Sequence, residues 1–337
     1  MSWINLPRKK SKIMVNESKL NQLREKFGAA LQENVRLSNF ATMNVGGTCD
    51  ILLVAHSADD LAYIISNLWQ FDLPVKILGS GSNLLISDRG VREAVVVNHA
   101  HNIKINSKYE QITAWAESGA LMVTLGRQLA LRGLTGMEWA ATIPGTVGGA
   151  VYGNAGAFGG ETCLNLISAD VLDRIEGRTE WPCEKLDFTY RSSKIKRAVS
   201  EAVVLAATFR VERGDAKTIQ ESIENFKNRR MKNQPPGASV GSVFRNPPND
   251  KAGRLIEAAG LKGKSIGGAI ISPTHANFII NEGGASAQDV LDLLVLARNT
   301  VKETFQVELI PEIEVVGDWE NLPDFLQKPK TSQVVHQ

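Results

Sequence analysis

No apolar run in the 337 residues approaches the roughly 18 that a membrane-spanning helix needs, and the first 30 lack an apolar signal core. Cysteine is scarce as well. Cys49, Cys163 and Cys183 stand far apart with no CxxC pair, which argues against a disulfide framework or a zinc site and suits a reducing compartment. Charge of one sign is also missing: 38 basic residues against 36 acidic leave +2, too little to collect counterions from a nucleic acid except through a local patch. No repeat at a period of about 20 to 50 residues and no low-complexity tract is present. These absences point to a cytoplasmic enzyme or binding protein with no nucleic-acid partner, no membrane span and no metal centre.

What is present is ordinary globular material, 43% hydrophobic and 22% charged, in a length that suits two or three domains. The opening MSWINLPRKKSK is an exception, because Arg8, Lys9, Lys10 and Lys12 come without an acid. It reads as a solvated terminus, with a membrane-surface or targeting arm as the alternative.

Periodicity divides the chain into α+β units. Residues 1–35 read as an extension ending in a weak helix over 18–31, with the compact protein starting near Arg36. In the first unit, 36–100, Ser57-Ala-Asp-Asp60 reads as a capping box ahead of Leu61, Ile64, Ile65, Leu68 and Trp69 at helical spacing. Strand-like runs at 51–54, 74–78, 84–87 and 94–98 surround that helix. The second unit, 101–215, carries a helix over 120–132 and strands near 169–172 and 202–213. The third, 216–317, opens with a basic amphipathic helix over 218–232, stopped by Gln234-Pro235-Pro236. In it Ser286-Ala-Gln-Asp289 caps a second helix, whose stripe of Val290, Leu293, Leu294, Ala297, Val301 and Phe305 reads as core. Residues 318–337 read as a tail.

Between Gly133 and Gly160 the chain places nine glycines in 28 residues, where ordinary usage of ~7% gives about two. Such a cluster suits backbone that needs positive φ, or that must approach a ligand with no Cβ between, presenting amides to an anion such as a pyrophosphate. A shorter candidate is Gly79-Ser80-Gly81-Ser82-Asn83, set between two strand-like runs. For each segment a set of tight turns is the competing reading.

Three familiar motifs fail in context. Gly79 to Leu84 has leucine where the dinucleotide fingerprint requires its third glycine. Gly263-Lys264-Ser265 resembles the end of a P-loop, but Ala258 stands where the first glycine belongs. Gly237-Ala-Ser239-Val-Gly241 matches the GxSxG esterase elbow, yet prolines lie on both sides of it. A serine hydrolase using Ser239, with His275 downstream, is kept as the alternative function.

Taken in order, Val45-Gly46-Gly47, Leu78 to Asn83, Ile143-Pro-Gly-Thr-Val-Gly-Gly-Ala150, Asn154-Ala-Gly-Ala157, Tyr190-Arg191-Ser192, Gly241-Ser242 through Pro247, Ala252-Gly253 through Gly263, His275-Ala-Asn-Phe278 and Pro311-Glu312 resemble the UDP-N-acetylenolpyruvoylglucosamine reductases of bacterial cell-wall precursor synthesis. The likeness runs from about Arg36 to Gly317 and is similar to the shorter of the family's two subclasses. It implies FAD bound in a fold of the vanillyl-alcohol-oxidase type, two α+β units gripping the flavin and a C-terminal α+β substrate domain, in a monomer. It also implies the reaction: NADPH reduces the flavin, which then converts the enolpyruvyl ether of UDP-N-acetylglucosamine into UDP-N-acetylmuramate.

The resemblance assigns FAD contacts to Gly79, Ser80, Gly81, Ser82 and Asn83, to Pro144, Gly145, Thr146, Val147, Gly148 and Gly149, and to Asn154, Ala155, Gly156 and Tyr190. Arg230, Gln234 and Asn246 would face the UDP moiety. For the chemistry, Arg191 would hold the substrate carboxylate, Glu312 would stabilise the enolate-like intermediate, and Ser242 would protonate carbon. His275 is left to orient substrate or to pack. Two positions depart from the pattern: Arg245 stands where lysine is usual, and Tyr152-Gly153 precedes Asn154 where a bulkier residue is common. A flavin-fold binding module without turnover would keep the glycine loops and dispense with Arg191, Ser242 and Glu312.

Overall fold

The computed structural model describes residues 16–107, 111–197 and 201–327. The basic arm at Arg8, Lys9, Lys10 and Lys12 lies outside them. Helix α1 (Glu17–Phe27) precedes a sheet built from β1 (Gln32–Arg36), β2 (Thr48–Ala55), β3 (Val75–Leu78) and β5 (Val91–Asn98) in the order β1-β2-β5-β3. Helix α2 (Ala58–Gln70) forms the crossover between the parallel strands, and β4 (Leu84–Ile86) leaves the sheet to pair elsewhere. Ser57 Oγ accepts from Asp60 N at 3.1 Å, as expected of the cap, but the Asp60 carboxylate reaches back to His56 N rather than to Ser57. Leu61, Ile64, Ile65 and Leu68 are buried on one face, worth about 1.5–3 kcal/mol each.

The second unit is an antiparallel sheet in the order β12-β11-β13-β7-β6, with β6 (Ile103–Asn106), β7 (Thr113–Glu117), β11 (Leu166–Asp173), β12 (Gly177–Pro182) and β13 (Ala202–Arg210). Between β7 and β11 run α3 (Met122–Ala130), β8 (Leu134–Thr135), α4 (Val147–Gly153), the β9–β10 hairpin (Gly156–Ala157 and Gly160–Glu161) and the single turn α5 (Thr162–Asn165). After β14 (Glu212–Arg213) comes the basic helix α6 (Ala216–Asn233). Its Phe226 packs on the second unit's core and stacks on Phe158 of the β9–β10 turn at 4.6 Å. Helix α6 thus leans on the second unit, although a boundary at 215/216 would place it with the third.

The third unit pairs β15 (Ala238–Ser239), β16 (Ser265–Ile266), β17 (Ala269–Ile271) and β18 (Ile279–Asn281) in the order β15-β18-β17-β16. Helices α7 (Ala252–Ala258) and α8 (Ala287–Phe305) cover it, and the expected Ser286–Asp289 capping box of α8 is complete. The last strand, β19 (Glu314–Val316), returns to pair in parallel with β4, joining the end of the third unit to the first.

Two expectations about the ends are corrected. Leu23 of α1 is fully buried among Ile51, Leu61 and Leu68, and β1 is the edge strand of the first sheet, so the folded body begins well before Arg36. An amphipathic helix can dock a single face that its weak periodicity barely announces. Beyond Gly317, Trp319, Leu322 and Phe325 pack on the third unit's core rather than trailing free. If α1 is part of that body, Leu23→Ala will lower the free energy of urea unfolding by about 2–5 kcal/mol; a free extension would leave it unchanged.

Candidate active site

The Gly79–Asn83 loop leaves β3 and enters β4 beside the turn that starts α4. A Cβ on Gly79 would stand 2.5 Å from Thr146 Oγ1, so the loop lies against the second glycine segment only because that side chain is missing. Ser80 Oγ donates to Ser82 Oγ at 3.2 Å, and among the described residues the amides of Ser80, Gly81, Ser82 and Asn83 find no protein acceptor. Those amides and hydroxyls make a ready cradle for an anion.

The second segment works differently. Thr146 caps α4 through Gly149 N at 3.3 Å, while Val147 N donates to Ala120 O at 2.8 Å and Gly148 N to Ser118 O at 2.7 Å. The expectation of consecutive free amides there is corrected, because they are spent on the chain between β7 and α3. Gly148 is glycine because a Cβ would meet Ser118 at 2.9 Å. Gly145 lies against Ser82, Pro144 and Gly149 are exposed, and Val147 is buried. Pro144, Gly145 and Gly149 therefore offer surface to a ligand, and Val147 offers none of its side chain.

Asn154 ends α4 in the left-handed conformation, with φ 45°. Its side chain is fully committed to protein, donating to Glu161 and to Thr189 O at 3.2 Å each and accepting from Cys163 N at 3.1 Å. It anchors the tight turn Thr189 to Ser192, which closes through Ser192 N to Thr189 O at 3.1 Å. Tyr190 at the turn is exposed, and Arg191 has φ 56°, a conformation that costs a non-glycine residue about 1–2 kcal/mol. Ala155 packs on the core, and Gly156 O accepts from Arg191 Nη2 at 2.9 Å.

Arg191 Nε lies 2.8 Å from Glu312 Oε1, both side chains about three-quarters withdrawn from solvent. Glu312 N donates to Val243 O at 2.8 Å, which sets it beside Ser242. Asn83 Nδ2 donates to Glu312 O at 3.2 Å and Asn83 O accepts from Glu314 N, so the side chain assigned to the flavin ties down the segment that carries Glu312 instead. Of the three expected catalytic residues, Arg191 of the second unit and Glu312 of the third meet beside Asn83, and Ser242 is the chain neighbour of the Val243 that bonds Glu312. Burial pushes the Glu312 carboxyl above its ordinary value, and the nearby charges of Arg191, Lys196 and Arg245 oppose that rise without cancelling it.

Lys196 was not foreseen in this role, although it stands in the same basic run as Arg191. It pairs with Glu314 at 3.0 Å and lies 5.7 Å from the Tyr152 ring. The substrate candidates are more scattered. Arg230, in the last turn of α6, has no carboxylate partner among the described residues, and burial lowers its pKa. Gln234 caps α6, and Asn246 Oδ1 accepts from Ala252 N at 3.1 Å at the start of α7. His275 packs, its Nδ1 accepting from Asn277 N and its ring edge-on to Phe278. Ser239 lies in β15 opposite Ile280, not on a strand-to-helix turn, which removes the esterase elbow.

Residues 232–316 match the family model of the UDP-N-acetylenolpyruvoylglucosamine reductase C-terminal domain, and residues 49–181 match that of an FAD binding domain. A curated relative of that reductase name from Chloroflexus aggregans is 39% identical over 297 residues, 87% of this chain and all of that one. The Bacillus subtilis reductase is 39% identical over 303 residues, 89% of this chain and 99% of its own.

The chain belongs to the UDP-N-acetylenolpyruvoylglucosamine reductase family.

The crystal structure of the reductase from Thermus caldophilus superposes with a TM-score of 0.72 at 33% identity, covering 84% of this chain and 97% of that one. The fold is therefore the expected α+β one, with an FAD-binding part ahead of a C-terminal reductase domain. The cradle at Ser80–Asn83, packed against Thr146 and Phe40 through its glycines, fits a flavin dinucleotide: it supplies backbone and hydroxyl donors for a pyrophosphate.

The raised Glu312 carboxyl has a consequence for stability. Because the folded state holds this proton more tightly than the unfolded chain, the group's contribution is favourable at low pH and is lost as pH rises from about 4.5 through the raised value. Glu312→Gln will therefore melt at or above the wild-type temperature at pH 8, an advantage that disappears below about pH 4.5 in calorimetry. A lower melting temperature at pH 8 would contradict this balance.

Proposed function

We propose that the protein is the FAD-dependent reductase that turns UDP-N-acetylglucosamine enolpyruvate into UDP-N-acetylmuramate, drawing its electrons from NADPH. The observation that carries this reading is the Arg191–Glu312 pair, with Glu312 bonded to Val243, next in the chain to Ser242, and to Asn83 of the cradle. Ser80, Gly81 and Ser82 would hold the cofactor's pyrophosphate, with Gly79, Gly145 and Tyr190 along its path. Bound FAD supplies the hydride for the terminal alkene carbon.

The chain's own residues manage the charge that follows. An arginine has five N–H donors; Arg191 stands in an ion pair with Glu312 and spends one Nη2 hydrogen on Gly156 O, which leaves donors of its fork for the substrate carboxylate. As the alkene is reduced, negative charge moves onto that carboxylate, and the fixed guanidinium is already in place to receive it. Burial favours a protonated Glu312, which can donate to the same developing charge. Ser242 gives its hydroxyl proton to the carbon bearing the ether oxygen. A serine hydroxyl is a weak acid, but the carbanion it meets is a strong base, and water restores the proton afterwards. The product gains one hydride and one proton.

Arg230, a half-buried cation without a carboxylate partner among the described residues, suits the diphosphate of the nucleotide, with Gln234 beside it at the end of α6. In Asn246 the amide nitrogen is left for substrate, while its oxygen is anchored by Ala252 N. One chain supplies every proposed group, as a monomer requires, and the cytoplasm is where nucleotide sugars and NADPH meet.

Purified protein will be yellow, will bleach with NADPH in the absence of oxygen, and will recover its colour when the enolpyruvyl nucleotide is added. In Ser242→Ala, stopped-flow absorbance will show bleaching at the wild-type rate and recovery slowed by about 10²–10⁴-fold. Reduced protein that ignores the enolpyruvyl nucleotide would refute the reading.

A further inference from the structure

The run His275-Ala-Asn-Phe278 contributes no group to the site described above, yet Asn277 is spent entirely on the chain that carries Ser242. Asn277 Oδ1 accepts from Phe244 N at 2.9 Å, Nδ2 donates to Phe244 O at 2.8 Å, and the Asn277 carbonyl accepts from Val243 N at 2.9 Å. The residue is 3% exposed. On the other side, Val243 O accepts from Glu312 N and Arg245 N donates to Ile310 O. Residues 243–245 are therefore laced between Asn277 and the segment that bears Glu312.

That segment needs such a partner. Gly241 has φ 75°, and the chain after it lies outside any sheet although Val243 and Phe244 are buried. A primary amide presents one acceptor and a donor pair in one plane, so it serves the N–H and C=O of a single residue as a neighbouring strand would. Asp could only accept, and Ala could do neither. Asn277 is itself fixed, its N–H on His275 Nδ1 at 3.2 Å and the Phe278 N–H on His275 O at 3.0 Å.

We infer that Asn277 is the positioning residue for the proton donor: it holds Val243–Phe244 against the segment that carries Glu312 and so sets where the Ser242 hydroxyl stands relative to Glu312. The inference rests on Ser242 being that donor. The Asn277 side chain bonds to Phe244, so its loss acts on the reaction through the stretch that follows Ser242. Proton transfer is sensitive to displacement, and a shift of about 1 Å can cost about 100-fold.

The test measures the two half-reactions separately in FAD-loaded full-length protein. Asn277→Ala will bleach with NADPH at the wild-type rate, while recovery with the enolpyruvyl nucleotide slows by about 10- to 100-fold. Asn277→Asp, which keeps the acceptor and the volume, will fall between wild type and Ala, and carries the comparison if Ala does not retain FAD. In the double variant with Ser242→Ala, adding Asn277→Asp or Asn277→Ala will produce no further slowing. Equal losses in both half-reactions, or losses that multiply with that of Ser242→Ala, would overturn the inference and leave the donor assignment standing. Wild-type recovery in Ser242→Ala itself would overturn the donor assignment and this inference with it.

Discussion

Bringing a guanidinium and a carboxyl together where water is largely withdrawn costs more desolvation than the pair returns in attraction unless further bonds hold both ends. Arg191 and Glu312 meet under those conditions. Arg191 adds to the cost by sitting in the left-handed backbone region, and Glu312 by retaining its proton more readily than an exposed carboxyl. Neither feature serves stability. Both make sense where a cation must face a substrate anion and a carboxyl that holds its proton more readily than usual must stand beside it.

The surrounding chain supplies what offsets this cost, and much of it is asparagine. Asn154 anchors the Arg191 turn, Asn83 holds the backbone of Glu312, and Asn277 holds the stretch after Ser242. Asn281, at the end of β18, donates to Met43 O at 2.9 Å and accepts from the amides of Gly283 and Ala285. Where buried chain runs outside a sheet, these side chains satisfy the groups that a ladder would otherwise pair. The strand pair β4–β19 then fastens the first unit to the last, so that cradle, cation and acid are held in one frame.

Much of this was legible in the residues. The α2 stripe, the α8 capping box and the strand runs are local signals, set by periodicity and cap chemistry within a few residues. Arg191, Ser242 and Glu312 came from motif order, because a turn arginine or a strand-edge glutamate carries no sign of its partner. What escaped were contacts between segments remote in sequence. The Asn83–Glu312 and Thr42–Ser239 bonds, the β4–β19 pairing and the burial of Leu23 leave no local pattern. The glycines at 145–149 suit amides awaiting an anion, yet the missing Cβ of Gly148 also lets the 118–120 chain take those amides. Composition cannot separate these two uses.

The convergence of Arg191, Ser242 and Glu312 on one double bond is tested most directly by a crystal structure of the oxidised, FAD-loaded protein with the enolpyruvyl nucleotide bound. The account places the substrate carboxylate on the Arg191 guanidinium and the Ser242 hydroxyl within hydrogen-bonding reach, ~3 Å, of the carbon to be protonated. A substrate carboxylate turned away from Arg191, or a Ser242 hydroxyl on the far side of the ether, would contradict it.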